Sequence, residues 1–359
     1  GEWLNLLLRW AHVIAGIAWV GVSLYFVSLE SRGEPAAARL QATRHWFKWE
    51  AYWTWITGFA LLASMYYFNA EAYLIDTAVM PLSKWAAIAV GLGTLVLGLG
   101  VYEGLCRSPL GRNDLALGGA LLAFFGLTAW GLTQVFSGRG AFIHYGAILG
   151  TIMVGNVAHV IIPGERRMAR ASSEGRAPDA KDARMGRQRS MHNTYLALPV
   201  VLAMLSNHYA IAFGHRRGWL VLVALTLAGV LARAWFVQRH RGRAPAWAWI
   251  AGAMLVAIAA VLIAPSSRQA PGNVSFSDVK TVIDARCLVC HAEKPAFRGF
   301  IEAPKGVKLD TPERIRAQAP HIYRQTVLST AMPPGNLTGA TEEERALLDR
   351  WYRAGAATK

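Results

Sequence analysis

Apolar residues in this chain fall into long runs separated by short polar stretches. Eight runs approach the roughly 20 residues that an α-helix needs to cross the hydrocarbon layer of a membrane: 3–29, 46–68, 81–104, 115–137, 141–162, 192–214, 218–238 and 246–264. The first is expected to remain in the mature chain. It is too long for the apolar part of a cleaved signal, no basic segment precedes it, and Arg9 lies inside it. Beyond Ala264 the pattern changes. Residues 265–273 read as a Pro/Ser/Gly linker, and residues 274–359 mix apolar and polar positions at helical spacing. Helices are predicted from Ser277 to Arg286, from Thr311-Pro312 onward with Ile315, Ile322 and Val327, and after the capping box Thr341-Glu-Glu-Glu344. The expected fold class is all-α. An eight-span transmembrane bundle (1–264) is joined through 265–273 to a small soluble all-helical domain (274–359).

Composition agrees with that division. Of 359 residues 54% are apolar and 16% charged, which excludes a disordered chain. The net charge of +15 does not form the basic patch of a nucleic-acid binder, because most of the excess lies between apolar runs. The connections 30–48, 105–114, 163–191 and 239–245 hold 17 Lys and Arg, against 4 in 69–80, 138–140, 215–217 and at Arg268. Cytoplasmic connections keep positive charge, so the first set is expected inside, with both termini and the tail outside. The longest connection, 163–191, reads as a mobile cytoplasmic connector beside anionic lipid.

Three cysteines carry different meanings. Cys106, alone at the inner end of the third run, reads as an inert thiol. Cys287-Leu-Val-Cys290-His291 has the spacing of a c-type haem attachment motif. Two thiols one helical turn apart can each add to a porphyrin vinyl group, and the adjoining imidazole then reaches the iron. The alternative is a redox dithiol beside an unrelated histidine. Forty-one residues after His291, Thr330-Ala-Met332-Pro-Pro334 offers a methionine in a Pro-stiffened loop. His291 and Met332 are the expected axial ligands, a pair that raises haem potential. His321, inside a helical pattern, is the rival. Thioether attachment in bacteria takes place outside the cytoplasmic membrane, in agreement with the charge count.

Polar groups within apolar runs are functional candidates, because lipid makes them expensive. His12, His144, His159 and His208 are candidate ligands for a b-type haem in the bundle; the ordinary alternative for each is an interhelical hydrogen bond. His144 and His159 are 15 residues apart, about 22 Å along one helix. Asn156 shares a helical face with His159. Arg233, far from either end of its run, is expected to pair with a carboxylate or an anionic ligand. Glu30, Glu50, Glu103, Gln134 and Asn207 are further buried polar groups, and Trp46 opens an aromatic interface belt. At this level the chain is a membrane redox unit wired to an outward cytochrome, and an enzyme, an electron relay and a transporter all remain open.

The opening Trp3-Leu-Asn-Leu-Leu-Leu-Arg-Trp-Ala-His12 with Trp19 and Gly21, the stretch Cys106-Arg-Ser-Pro-Leu-Gly-Arg-Asn-Asp114, and Lys305-Gly-Val-Lys-Leu-Asp-Thr-Pro312 with Ala331-Met-Pro-Pro-Gly-Asn336 resemble the bacterial membrane-bound urate oxidases. That family joins an eight-span domain to a C-terminal cytochrome c domain, and the resemblance covers essentially the whole chain. It implies oxidation of urate to 5-hydroxyisourate in the inner membrane, with electrons passing to the haem and on to a periplasmic cytochrome c or terminal oxidase, without peroxide release. Urate is a planar anion, so its site needs a cation or histidine, amide-like donors and an aromatic face. Arg9, His12, Asn156, His159, His208 and Arg233 are the residues expected to supply them. The alternative function is a non-catalytic anchored cytochrome that relays electrons.

Overall fold

The computed structural model describes residues 2–30, 37–215, 217–240, 242–243, 245–264, 274–297 and 300–358. The linker 265–273 and the side chains of Glu30 and Trp46 lie outside the described residues. The described chain is helical throughout, without strands. Each apolar run becomes a helix or most of one: α1 Glu2–Glu30, α2 Ala37–Leu62, α3 Lys84–Arg107, α4 Asp114–Thr133, α5 Gly138–Ser173, α6 Ala180–Leu205, α7 Gly218–His240 and α8 Ala246–Leu262. Among the described residues five stretches are long and apolar enough to cross a membrane: Trp3–Ser23, Lys84–Arg107, Asp114–Thr133, Gly138–Ser173 and Gly218–Arg239. Helix α8 is apolar but shorter, and α2 and α6 carry polar residues over their first turns.

Side-chain caps set the helix starts, because the first N–H groups of a helix have no partner within it. Ser83 accepts from Ala86 N, Asn113 from Leu115 and Ala116 N, Ser137 from Gly140 N, and Asp179 from Lys181 N. The last of these corrects a sequence expectation. The stretch 163–191 is no irregular connector: α5 continues to Ser173 and α6 begins at Ala180. Arg167 clasps Asp182 through two bonds of 2.8 and 2.6 Å, so the charges read as a solvated loop instead staple a helical hairpin.

Helix α5 is the centre of the bundle. It packs against α2, α3, α4 and α6, with α1 on α2 at one flank and α8 on α7 at the other. Its Tyr145, Ile148, Leu149, Ile152 and Met153 are almost wholly buried. The outer surface, by contrast, exposes Trp3, Ile17, Trp85, Val96, Leu97, Leu115 and Leu127. Water-soluble monomers rarely show such a girdle; it is compatible with a membrane protein.

In the tail, α9 Phe276–Arg286, α10 Pro312–Tyr323 and α11 Glu342–Arg353 enclose Val279, Ile283, Ile315, Leu348 and Trp351. The capping box forms as expected, with Thr341 N donating to Glu344 (2.8 Å) and Glu344 N to Thr341 Oγ1 (3.2 Å). Thr311 caps α10 ahead of Pro312. The tail rests on one end of the bundle. Thr330 donates twice to the Gly214 carbonyl, from N (3.1 Å) and Oγ1 (2.8 Å), and Ala331 packs on the bundle core. Gly335 approaches so closely that a Cβ there would lie 2.2 Å from the Ile75 carbonyl. Gly214 and Ile75 adjoin the connections 215–217 and 69–80, the ones poor in positive charge.

Candidate functional site

The Cys-x-x-Cys-His segment sits where α9 ends. Cys287 is the last cap of α9, and a single turn follows over Leu288–His291, with His291 N donating to Cys287 O at 2.9 Å. That turn sets the two thiols about one helical turn apart. His291 donates from Nδ1 to the Val307 carbonyl at 2.8 Å, which fixes the ring and leaves Nε2 as its only free nitrogen. Metal-bound histidines carry this second hydrogen bond. The loop bearing Val307 is itself pinned by Lys308–Glu293 (2.5 Å), Arg314–Glu293 (2.7 Å) and Arg314–Asp310 (2.8 Å).

Met332 is held with comparable care. Its N–H donates to Gln325 O (2.9 Å), and its carbonyl accepts from Arg345 Nη1 (2.9 Å), which also reaches Thr326 O (2.6 Å). His321 is exposed and lies beside Arg324 Nη2 at 3.3 Å. Burial pushes the Cys287 thiol up to about 12 and raises Cys290 as well. A redox dithiol needs a lowered thiol pKa, and burial moves both thiols the other way. Two thiols, an imidazole with Nε2 free and a thioether in a pinned loop fit a covalently attached haem.

Among the described residues no direct hydrogen bond joins any two of the residues expected to form one site in the bundle. No hydrogen bond or ring contact joins any two of His12, His144, His159 and His208. His12 lies between α1 and α2, donating from Nδ1 to Thr54 O (3.0 Å), and a Cβ at Gly58 would come within 2.8 Å of its ring. Its Nε2 has no partner among the described residues. This arrangement fits an iron ligand. His144 is fully buried, with Nδ1 on Gly140 O (2.9 Å), Nε2 on the Tyr67 hydroxyl (3.2 Å) and Phe136 stacked on the ring at 4.9 Å. Both its nitrogens are occupied, so as packed it is a hydrogen-bonding core residue. His208 is exposed on the turn after α6. Arg9 is exposed too, bonded to Asn5 (2.5 Å) and Met65 Sδ (3.0 Å).

One expectation needs correction, and another loses one of its two alternatives. Asn156 and His159 do not share a face: the chain forms a π-helical turn over Asn156–Ile161, which widens the turn by a residue and leaves Asn156 buried and His159 exposed. Arg233 is buried, but among the described residues it has no carboxylate partner. Its Nε donates to the Thr194 carbonyl (3.1 Å) and Nη2 has no partner. A backbone carbonyl of α6 takes the place of the carboxylate, one of its two expected partners; the other, an anionic ligand, would meet the unpaired Nη2.

Asn156 instead joins a group that the sequence reading does not assemble, at the end of the bundle that bears the 163–191 hairpin. Its Nδ2 donates to the Tyr102 hydroxyl (2.9 Å) and to Asn193 Oδ1 (2.8 Å). The Tyr102 hydroxyl lies 2.7 Å from His192 Nδ1. Arg189, 1% exposed, stacks over the Tyr102 ring at 5.0 Å and pairs with Glu103 at 2.8 Å. One signal was available: Arg189, His192 and Asn193 stand three and four residues apart, the spacing of one helical face. It was hidden because Arg189 was assigned to a loop.

A protein-family model described as urate oxidase N-terminal matches residues 1–38 and 31–264. No curated protein and no solved structure matches the chain.

Proposed function

Because the chain belongs to the urate oxidase N-terminal family, matched over 1–264, we propose that it is a membrane-embedded oxidoreductase that converts urate to 5-hydroxyisourate and delivers the electrons to a haem held covalently by its tail. The observation that carries this reading is the family match over the bundle in a chain that continues into the Cys287-Leu-Val-Cys290-His291 segment. Urate plus water gives 5-hydroxyisourate, two protons and two electrons. A c-type haem, when bound, supplies a one-electron acceptor of raised potential. The electron pair therefore leaves in two single steps or is divided with a second centre. A b-type haem in the bundle is proposed for that role, with His12 as the ligand best arranged for it.

The protein's own residues would do the following. Cys287 and Cys290 anchor the haem, the Val307 carbonyl aims His291 Nε2, and Arg345 fixes the backbone of Met332. Thr330 and Gly335 seat the Met332 loop against the bundle, bringing acceptor and bundle together. The reading places the chain in the inner membrane of a bacterium with the tail in the periplasm. Its support is the 4 basic residues on the tail's side of the bundle against 17 on the other. A periplasmic cytochrome c or a terminal oxidase would then accept the electrons.

Purified full-length protein mixed with urate under anaerobic conditions should show reduction of its c-type haem absorption. A haem that stays oxidised, in protein reducible by dithionite, would make this an electron relay only.

A further inference from the structure

The group around Arg189 has features of an incomplete binding site. Arg189 is almost fully buried, yet only Nη2 is paired; Nε and Nη1 have no partner. A buried guanidinium with unsatisfied N–H groups is costly unless something completes it. Around it stand an aromatic face (Tyr102), a histidine (His192) and two amides (Asn156 and Asn193).

A cavity of about 670 Å³ opens at the same end of the bundle. Its wall includes Arg107, His159 and Met185. Arg107 of the wall pairs with Glu103, the same carboxylate that holds Arg189, and Met185 stands one helical turn before Arg189 on α6. Two elements, α3 and α6, thus contribute residues both to the cavity and to the cluster. The cavity wall holds five arginines and lysines against two aspartates, and Glu103 and Glu174 at its edge pair with Arg107, Arg170 and Arg176, which leaves a small positive excess. Such a bias raises the local concentration of anions.

We propose that this is the uptake and holding site for the planar organic anion that the enzyme oxidises. The anion is drawn into the basic cavity from the face bearing the 163–191 hairpin. It is then held by Arg189 Nε and Nη1 beside Tyr102, and the amides of Asn156 and Asn193, bonded to each other and to Tyr102 and Met153 in the free protein, exchange some of those bonds for bonds to it. The proposal rests on urate being the substrate, and it assigns binding rather than electron transfer to these residues. Phosphate, free or on a lipid headgroup, shares the charge but not the flat ring with its amide edges.

The test is equilibrium dialysis of labelled urate against full-length holoprotein kept reduced with dithionite, so that bound urate is not consumed. Arg189→Lys and Asn156→Leu should each weaken binding at least about tenfold, since each removes hydrogen bonds to a charged ligand, while the haem spectrum stays normal. Equimolar inorganic phosphate should not displace urate. Unchanged affinity in both variants, or displacement by phosphate, overturns the proposal. Should the variants fail to fold, sealed wild-type vesicles decide. Haem reduction should be faster when urate is supplied at the hairpin face, and equal or faster reduction from the tail's face contradicts the site. Wild-type protein that binds urate here but whose oxidised haem never accepts its electrons would sink the electron-transfer reading and leave this site standing.

Discussion

His291 is presented for ligation because its other nitrogen is already committed. The Val307 carbonyl holds Nδ1, so rotation of the ring would lose a hydrogen bond as well as any bond to iron. His291→Ala should therefore abolish the normal c-type spectrum of the purified protein, and an unaltered spectrum would refute the ligand assignment. Arg345 acts one step back, through carbonyls of Thr326 and Met332. Arg345→Met keeps the apolar stem but strands two acceptors, so it should destabilise the tail by roughly 2–4 kcal/mol in denaturant titrations followed at the haem. In the bundle, a Cβ at Gly91 would lie 2.8 Å from His144 Nε2. Gly91→Ala should then lower stability by about 1–3 kcal/mol through overpacking, read as a lower thermal midpoint in detergent.

At the scale of elements, the segment 293–314 depends on charge. Lys308 and then Arg314 hold the Glu293 carboxyl below its usual value, and Arg314 does the same to Asp310. A carboxyl lowered by folding contributes stability above its unfolded pKa, and that contribution disappears as pH falls through the folded value. The tail's melting midpoint should be flat from about pH 7 to 5 and drop below about pH 4, with Glu293→Gln flattening that drop. The effect should be small because these pairs are exposed; an equal acid drop in the variant would place its origin elsewhere. This scale also marks what could be read from the chain alone. The apolar runs, the Thr311 and Thr341 caps and the Cys-x-x-Cys-His turn are local signals, and each appears as a helix, a cap or a turn. The hairpin at 163–191 was missed because its stability comes from Arg167–Asp182 across two helices. The Arg189 group escapes that reading because three elements build it, and the π turn that buries Asn156 has no spacing signature.

The whole molecule is two helical units in register end to end. The tail sits on the bundle end where basic residues are scarce, and the 163–191 hairpin and its cavity lie at the other end. If the charge asymmetry sets orientation, a membrane-impermeant amine reagent applied to spheroplasts should label Lys294 in the tail and spare Lys181 in the hairpin until the membrane is opened. The reverse pattern would invert the topology. Under the proposed function, the same separation would let an anion be taken up at one end and its electrons leave at the other. Most direct for the central claim is a count of electrons. Anaerobic titration of the oxidised holoprotein, read by haem absorbance and by urate consumed, should find two single-electron reductions among its haem centres for each urate. Admission of air afterwards should yield no stoichiometric peroxide. Urate consumed without haem reduction, with one peroxide formed for each urate once oxygen is present, would contradict the account.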